Sequence, residues 1–406
     1  MNPSLSGRFL LGEVAGTAAA GATKAKVIAS SWTFGAILSS AVLIMWGAEA
    51  AQFFIAQGLA LAILAWLQTL PEFAVEAVIA YEAGRDPASL HLVTANFTGS
   101  LRLFVGLNWP MIYFVHAFSS WRRKGARRLP EIRMGGDDPA TIFFLYPALA
   151  YFSLIWWKGT LSILDGFALV AIYAAYLAVL QFLPPQELEE ESDVGRIPRA
   201  IIHMRRGPRI ASILSLFLSG GLILYFCAEP FLHSLKELAL TLGISTFIFI
   251  QWVAPFVSEF PEKVTACYWA RKAKSAPMAL MNVVSSSFSQ WTVLTGLIPF
   301  VYSYSAGRIS TVVFDDQQRV EILLTIVQSL LGALLLSNLS FKWWEAVVLF
   351  VLWFAQFLVP TIHGQIIWVY AAWVAVEILK LVRDRKHFAV FPAFHQLFRR
   401  HVLGRS

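Results

Sequence analysis

The 406-residue chain carries little charge: 14% of its residues are Asp, Glu, Lys or Arg, whereas 57% are hydrophobic. A soluble domain has about a quarter charged residues, because its surface faces water. The charges are also clustered, and several apolar stretches between them are long enough to cross hydrocarbon. Low charge therefore excludes an ordinary soluble protein. Because the stretches recur, a single signal peptide does not explain them, and they indicate a polytopic membrane protein.

Cysteine and the common catalytic motifs are scarce or missing as well. The two cysteines, Cys227 and Cys267, both lie in apolar segments, so neither a disulfide framework nor a cysteine metal site is indicated. The motifs H-E-x-x-H and G-x-S-x-G do not occur, and the eight histidines are scattered. We therefore predict no catalytic residues and no resident cofactor, and an intramembrane enzyme is the least favoured alternative.

Eleven membrane spans can be drawn, and most Lys and Arg residues fall on one side of them. With the N-terminus outside, the basic loop 121–133, the linker 184–209 and the tail face the inside. This bias explains the net charge of +7 without nucleic-acid binding. It predicts an integral protein of the cell (inner) membrane with a cytoplasmic C-terminus. The spans are at about 29–50, 52–83, 88–118, 140–157, 160–183, 210–234, 238–270, 276–304, 317–338, 342–360 and 363–382.

The two halves of the chain repeat the same polar landmarks in the same order. LQTLPEFAVEAV in the first half matches FVSEFPEKVTAC in the second, so that Pro71 and Glu72 correspond to Pro261 and Glu262. Five spans precede the second copy, and an odd number inverts its topology. Proline breaks a helix, and the broken helices of inverted repeats meet near the bilayer midplane, where secondary transporters bind substrate.

The predicted fold is therefore an all-α polytopic membrane protein with two inverted-topology repeats of about five transmembrane helices and one extra C-terminal helix. The predicted divisions are an N-terminal segment (1–28), the first repeat (29–183), a cytoplasmic linker (184–209), the second repeat (210–360), and the extra helix with a basic tail (361–406). The predicted partners are inorganic cations and the lipid bilayer, and the sequence does not set an oligomeric state.

Carboxylates inside hydrocarbon are costly, so the glutamates of the broken helices indicate function. Glu72 and Glu76 share one helix face with Gln68, and Ser258 stands four residues before Glu262. Hard cations such as Ca²⁺ bind six to eight oxygens of carboxylates, carbonyls, hydroxyls and amides. Glu76 suits a helix–helix hydrogen bond equally well. The helix that follows each break adds polar side chains: Asn96 and Ser100, and then Asn282, Ser286 and Gln290.

This pattern, LPE followed after about 20 residues by N-x-x-G-S in inverted repeats, resembles the sodium/calcium exchanger (cation/Ca²⁺ antiporter) superfamily. The resemblance covers roughly 45–120 and 225–305. It implies a secondary active antiporter that moves Ca²⁺ or a related cation against Na⁺ or H⁺ by alternating access. It also implies that Glu72 and Glu262 are the acidic metal ligands, and that further ligands fall on Gln68, Thr69, Ser100, Ser258, Glu259, Ser286 and Gln290.

The chain departs from the family pattern at several positions. Leu-Gln-Thr and Val-Ser-Glu replace Gly-Thr-Ser, and Phe104 stands where a polar ligand is expected. Two intramembrane cations, Arg102 and Lys263, either snorkel or pair with Glu76 or Glu259, or else they take the place of a transported Na⁺. An exchanger of the last kind is uncoupled from sodium or uses protons through Glu259 and Glu262. The lost ligands leave a non-transporting sensor or scaffold as the alternative function.

Overall fold

The computed structural model describes residues 31–54, 69–124, 129–135, 138–183, 194–272, 275–383 and 389–404, and nearly all of them are helical. This confirms the predicted all-α class. In the first half the helices are α1 (Ser31–Phe54), α2 (Leu70–Arg85), α3 (Leu90–Leu103), α4 (Trp109–Lys124), α5 (Asp138–Lys158) and α6 (Ile163–Leu180). The short helix α7 (Arg196–Ile202) lies within the predicted linker.

The second half presents helices in a matching order and then adds two at the end. These are α8 (Arg206–Leu242), α9 (Thr246–Ser258), α10 (Phe260–Ala270), α11 (Ala276–Ser289), α12 (Thr295–Ser305), α13 (Asp316–Leu336), α14 (Trp343–Leu358), α15 (His363–Arg383) and α16 (Val390–Leu397). Each of the eleven predicted spans contains at least one described helix. The division into two inverted repeats stays a prediction, and its first segment, 1–28, lies outside the described residues.

Six helices of the described chain are long and apolar enough to cross a membrane: α1, α5, α6, α8, α13 and Pro360–Lys380, which contains most of α15. Two shorter apolar helices are α9 and α14. In α8, only 11% of an 18-residue apolar stretch is buried inside the bundle, compared with 72% of such a stretch in α13. Hence α13 runs through the centre of the bundle and α8 lies at its edge.

The two prolines of the repeated motif begin helices rather than bend them. Pro71 is the second residue of α2, and Pro261 is the second residue of α10. Proline is tolerated in the first turn because the N–H it lacks has no partner there. In the second half the break is complete: α9 ends at Ser258, Glu259 is the cap residue between the helices, and α10 starts at Phe260.

The long helix after each break contains a π turn at the corresponding place. The turn Phe104–Asn108 joins α3 to α4, and the turn Gln290–Leu294 joins α11 to α12. A π turn inserts one residue into a helix and is frequent at functional sites. Because the turn keeps the backbone helical, each of these two long spans continues through the membrane without a full break.

Two short antiparallel ribbons connect the halves. The strand β1 (Ile132–Arg133) pairs with β4 (Ser340–Phe341), and β2 (Thr160–Leu161) pairs with β3 (Val312–Val313). Since β1 precedes and β2 follows α5, the ribbons lie at opposite ends of that 21-residue helix. Strands of two residues are too short to show an alternating pattern, so they are not predictable from the sequence.

Candidate cation site

The first-half carboxylates of the predicted site are held by one amide. Asn96 Nδ2 on α3 donates hydrogen bonds to Glu72 Oε1 at 2.8 Å and to Glu76 Oε2 at 2.7 Å on α2. All three side chains are buried. Glu76 thus makes the helix–helix hydrogen bond that was one of its two sequence interpretations, and it does so beside Glu72.

Hydroxyl groups of each half reach the carboxylates of the other half. Ser258 Oγ donates to Glu72, and Ser100 Oγ contacts both Glu259 and Gln290 Oε1, the latter at 2.6 Å. Gln290 Nε2 lies 3.4 Å from Glu259. A hydroxyl has a single proton, so Ser100 donates to only one of its two neighbours. When Ser100 donates to Gln290, Glu259 still has the Gln290 amide and the Lys263 ammonium as partners.

Lys263 neutralises Glu259 inside the bundle. Its Nζ lies 2.8 Å from Glu259 Oε2, and the two side chains are 6% and 1% exposed. The ammonium also lies 5.6 Å from the centre of the Phe256 ring. Lys263 therefore pairs with Glu259, one of the two partners predicted from the sequence, rather than reaching the membrane surface.

Glu262 is the buried carboxylate that is left open. Its residue is 2% exposed, and neither oxygen makes a well-formed hydrogen bond to a described residue. Ser286 on α11 faces it, yet the Ser286 hydroxyl also lacks a bond of good geometry. Glu259 and Lys263 are close enough to act on Glu262 electrostatically. An ionised carboxylate is costly in such surroundings unless a proton or cation accompanies it.

The other predicted ligands are buried around these groups. Thr69 is the cap residue of α2, Asn282 and Ser286 lie on α11, and Gln290 opens the π turn. Gln68 lies outside the described residues. Among the described residues no point gathers three or more His, Cys, Asp or Glu side chains at metal-binding distance. A Ca²⁺ ligand set here accordingly depends on hydroxyl, amide and carbonyl oxygens besides the glutamates.

Arg102 lies outside this group and corrects the sequence interpretation. It is fully buried, and its Nη2 lies 2.8 Å from Glu321 Oε2 on α13, so it neither snorkels nor pairs with Glu76 or Glu259. Its Nη1 donates to Gln356 Oε1 at 3.1 Å, and its guanidinium lies 5.0 Å from the Trp252 ring.

Glu321 was not among the residues predicted from the sequence. Its span was not one of the broken helices, but a signal was present: Glu321 and Gln328 stand seven residues apart in an apolar helix and so share one face.

Comparison with known proteins decides the family. The sodium/calcium exchanger protein family matches residues 27–182 and 212–361, which is most of the chain. The chain belongs to the sodium/calcium exchanger family. This membership confirms the resemblance predicted from the two motifs. It also confirms an integral membrane protein and a cation antiporter, in a family of transporters rather than enzymes. The type of membrane and the orientation of the termini stay predictions.

Several solved structures are similar to this one. The crystal structure of the H⁺/Ca²⁺ exchanger CAX has a TM-score of 0.84 and 31% sequence identity, and the match covers 93% of this chain and 92% of that one. The sodium–calcium exchanger NCX_Mj soaked with 100 mM Na⁺ and 10 mM Sr²⁺ (TM-score 0.53, 17% identity, 81% and 99% coverage) shares the fold. Native YfkE (0.54, 16%, 84% and 97%) shares it as well. No curated protein matches the chain.

Proposed function

We propose that this exchanger moves Ca²⁺ or a related divalent cation against H⁺, with Glu72 and Glu262 as the principal ligands. The observation that carries this proposal is the Lys263–Glu259 pair, buried among the predicted ligands with its two charged atoms 2.8 Å apart. We infer that this fixed ammonium takes the place of a mobile monovalent cation, such as the Na⁺ that a sodium-coupled exchanger carries. Coupling through Na⁺ therefore loses one binding place.

Protons are suited to the remaining carboxylates. Among the described residues, no side chain or backbone group makes a well-formed hydrogen bond to either oxygen of Glu262. A buried carboxylate carries its charge at low cost only beside a cation, and otherwise takes up a proton. Cation entry therefore displaces protons from the same oxygens, and proton return displaces the cation. Alternating exposure of the site to the two sides converts this competition into exchange.

Similarity to a known structure also supports the exchange of Ca²⁺ against H⁺. The structure with 31% identity and a TM-score of 0.84 is that of a protein described as an H⁺/Ca²⁺ exchanger. The sodium–calcium exchanger has 17% identity and bears on the fold alone.

A flux measurement in proteoliposomes tests the proposal. We expect a pH gradient to drive ⁴⁵Ca²⁺ uptake and a Na⁺ gradient of equal size to drive none. Glu72→Gln and Glu262→Gln each abolish uptake, because each removes a charged ligand, while Glu237→Gln, at an exposed position on α8, is the matched control. Uptake driven equally well by Na⁺ contradicts the proton coupling, and full activity of both site variants contradicts the ligand assignment.

The same vesicles test the alternative of a sensor or scaffold. Phe104 is fully buried at the start of the first π turn, at the place where Gln290 opens the second, so the first half lacks one polar group. Saturable Ca²⁺ binding by the wild-type protein without flux under any ion gradient favours that alternative.

A further inference from the structure

A second buried polar cluster joins the last long helix to the centre of the bundle. Glu321 on α13 contacts Arg102 on α3 through Oε2, at 2.8 Å, and His363 on α15 through Oε1, at 2.7 Å. Gln251 on α9 donates to the same carboxylate at 3.1 Å. We call Arg102, Glu321 and His363 the triad. Each of the three is 5% exposed or less.

Both ring nitrogens of His363 face groups that only accept hydrogen bonds. Nδ1 lies 2.7 Å from Glu321 Oε1, and Nε2 lies 3.1 Å from the backbone carbonyl oxygen of Gln356. The Arg102 guanidinium beside Glu321 keeps that group a carboxylate, which has no hydrogen to give. A neutral imidazole has one N–H and satisfies one of these contacts. The protonated ring has two and satisfies both.

The sequence explains why the Gln356 carbonyl needs a donor from outside its own helix. In a continuing helix that oxygen accepts from the N–H four residues later, but residue 360 is proline and has no N–H. The carbonyl lies in the last turn of α14, where the helix dipole favours a positive charge. His363 Nε2 lies where a donor would cap the last turn of α14.

The triad is connected to the cation site through two helices. Arg102 stands two residues after Ser100 on α3. Gln251 lies on α9, the helix that ends at the predicted ligand Ser258. Where these helices cross, a Cβ on Gly99 would lie 1.8 Å from the Gln251 carbonyl oxygen, so the two backbones are in direct contact. A change at the triad therefore acts on helices that carry ligands.

We propose that His363 is a proton-binding site separate from the exchanged-ion site, and that its protonated ring latches α15 to α14 and to the Arg102–Glu321 pair. This goes beyond the proposed function, because the proton here regulates the bundle and is not cargo. The groups that face the ring are Glu321 on α13, the Gln356 carbonyl on α14 and, behind them, Arg102 on α3 and the Tyr370 hydroxyl on α15, which Gln356 Nε2 contacts at 3.2 Å. When the proton leaves, the Nε2 lone pair faces the carbonyl oxygen, and α15 loosens from α14.

The protonation state of His363 is measured directly by nitrogen NMR on detergent-solubilised protein with ¹⁵N-labelled histidine. The His363→Gln variant identifies the His363 signals by their disappearance, and His395→Gln, at an exposed position on α16, is the matched control. We expect wild-type His363 to give the two protonated-nitrogen signals of an imidazolium at pH 7. A neutral ring with one protonated nitrogen at that pH overturns the proposal.

Thermal unfolding against pH tests the latch without any transport measurement. A folded state that holds a proton which the unfolded chain releases above about pH 6.5 loses stability as the pH rises. We expect the wild-type unfolding temperature to fall by about 2 °C or more between about pH 6 and about pH 9 relative to His363→Gln, which lacks this component. His395→Gln should follow the wild type. Parallel curves for wild type and His363→Gln overturn the proposal, whatever the outcome of the flux measurements.

Discussion

At the scale of single residues, the buried glutamates near the bundle centre differ in what faces their charge. Glu72 accepts from Asn96 and Ser258, and Glu259 has the Lys263 ammonium at 2.8 Å. Among the described residues, Glu262 has no well-formed hydrogen-bond partner. Since a buried charge is tolerated only with a partner, these differences sort the carboxylates into satisfied groups and one open group. Glu262 is therefore the carboxylate whose charge a transported ion would neutralise most favourably.

Removing one member of the Lys263–Glu259 pair should cost more than removing both charges. Lys263→Met leaves Glu259 buried without its cation, and loss of one partner of a buried pair costs about 3–5 kcal/mol. We expect the double variant Glu259→Gln/Lys263→Met to recover most of that loss. The measurement is the free energy of unfolding in detergent by denaturant titration. A double variant as unstable as Lys263→Met shows that the pair does not carry this energy.

The same substitution tests whether the ammonium stands in for a transported sodium ion. With Lys263→Met, Glu259 is free to bind a mobile monovalent cation. We expect external Na⁺ to alter Ca²⁺ uptake of this variant in proteoliposomes and to leave wild-type uptake unchanged. Lys236→Met is the matched control, because Lys236 pairs with Glu82, away from the predicted ligands. If Ca²⁺ uptake by Lys263→Met does not change with external Na⁺, the ammonium does not stand in for a transported sodium ion.

At the scale of elements, the crossing of α3 and α9 positions the hydroxyls that link the halves. Ser100 and Ser258 lie on these two helices and bond to carboxylates of the opposite half. These hydrogen bonds depend on the close contact of the two backbones at Gly99, where any side chain would clash with the Gln251 carbonyl group. Small residues allow such close approach between membrane helices.

Gly99→Ala should therefore separate α3 from α9. A Cβ at 1.8 Å from backbone oxygen cannot be accommodated, so the helices shift and the bonds of Ser100 and Ser258 are lost. We expect loss of Ca²⁺ uptake and a lower unfolding temperature. Gly221→Ala on α8 is the control: open space surrounds that position, and alanine is favoured over glycine within a helix by about 1 kcal/mol. Normal uptake by Gly99→Ala would show that the contact is not needed.

At the scale of the whole molecule, the two ribbons mark the two ends of the bundle. The ribbon β1–β4 and the ribbon β2–β3 lie at opposite ends of α5, and each pairs a strand from the first half with one from the second. The basic residues Arg133 and Lys342 lie at the end of the bundle with the ribbon β1–β4, which the positive-inside bias assigns to the cytoplasm.

Labelling from the two sides tests this orientation. After Cys227 and Cys267 are replaced by serine, Arg133→Cys and Val313→Cys offer exposed positions at the two ends, since the side chain of Arg133 is 82% exposed and Val313 is 60% exposed. We expect a membrane-impermeant maleimide to label position 133 only in inverted vesicles and position 313 only in right-side-out vesicles. The reverse pattern overturns the orientation, and labelling of both from one side contradicts the arrangement of the ribbons.

The sequence by itself determined the class and the family, and it supplied the candidate ligands, which stay a prediction. Low charge and long apolar runs require a membrane protein, because water-facing surface needs charge. The repeated proline–glutamate motif resembles that of the exchanger family, and carboxylates in hydrocarbon are costly enough to indicate a functional site. These properties are local in sequence, so spacing and composition were sufficient to read them.

Only the tertiary structure decided which partner each buried group has. The sequence placed Arg102 near Ser100 and paired it with the wrong carboxylates, whereas packing of α3 against α13 brings it to Glu321. In the same way, no local pattern shows that His363 fills the bond that Pro360 leaves open, or that Lys263 reaches Glu259 while Glu262 stays open. Pairing in a low-dielectric interior depends on distances of a few ångströms between helices remote in sequence. Those distances are fixed by packing, which one sequence does not display.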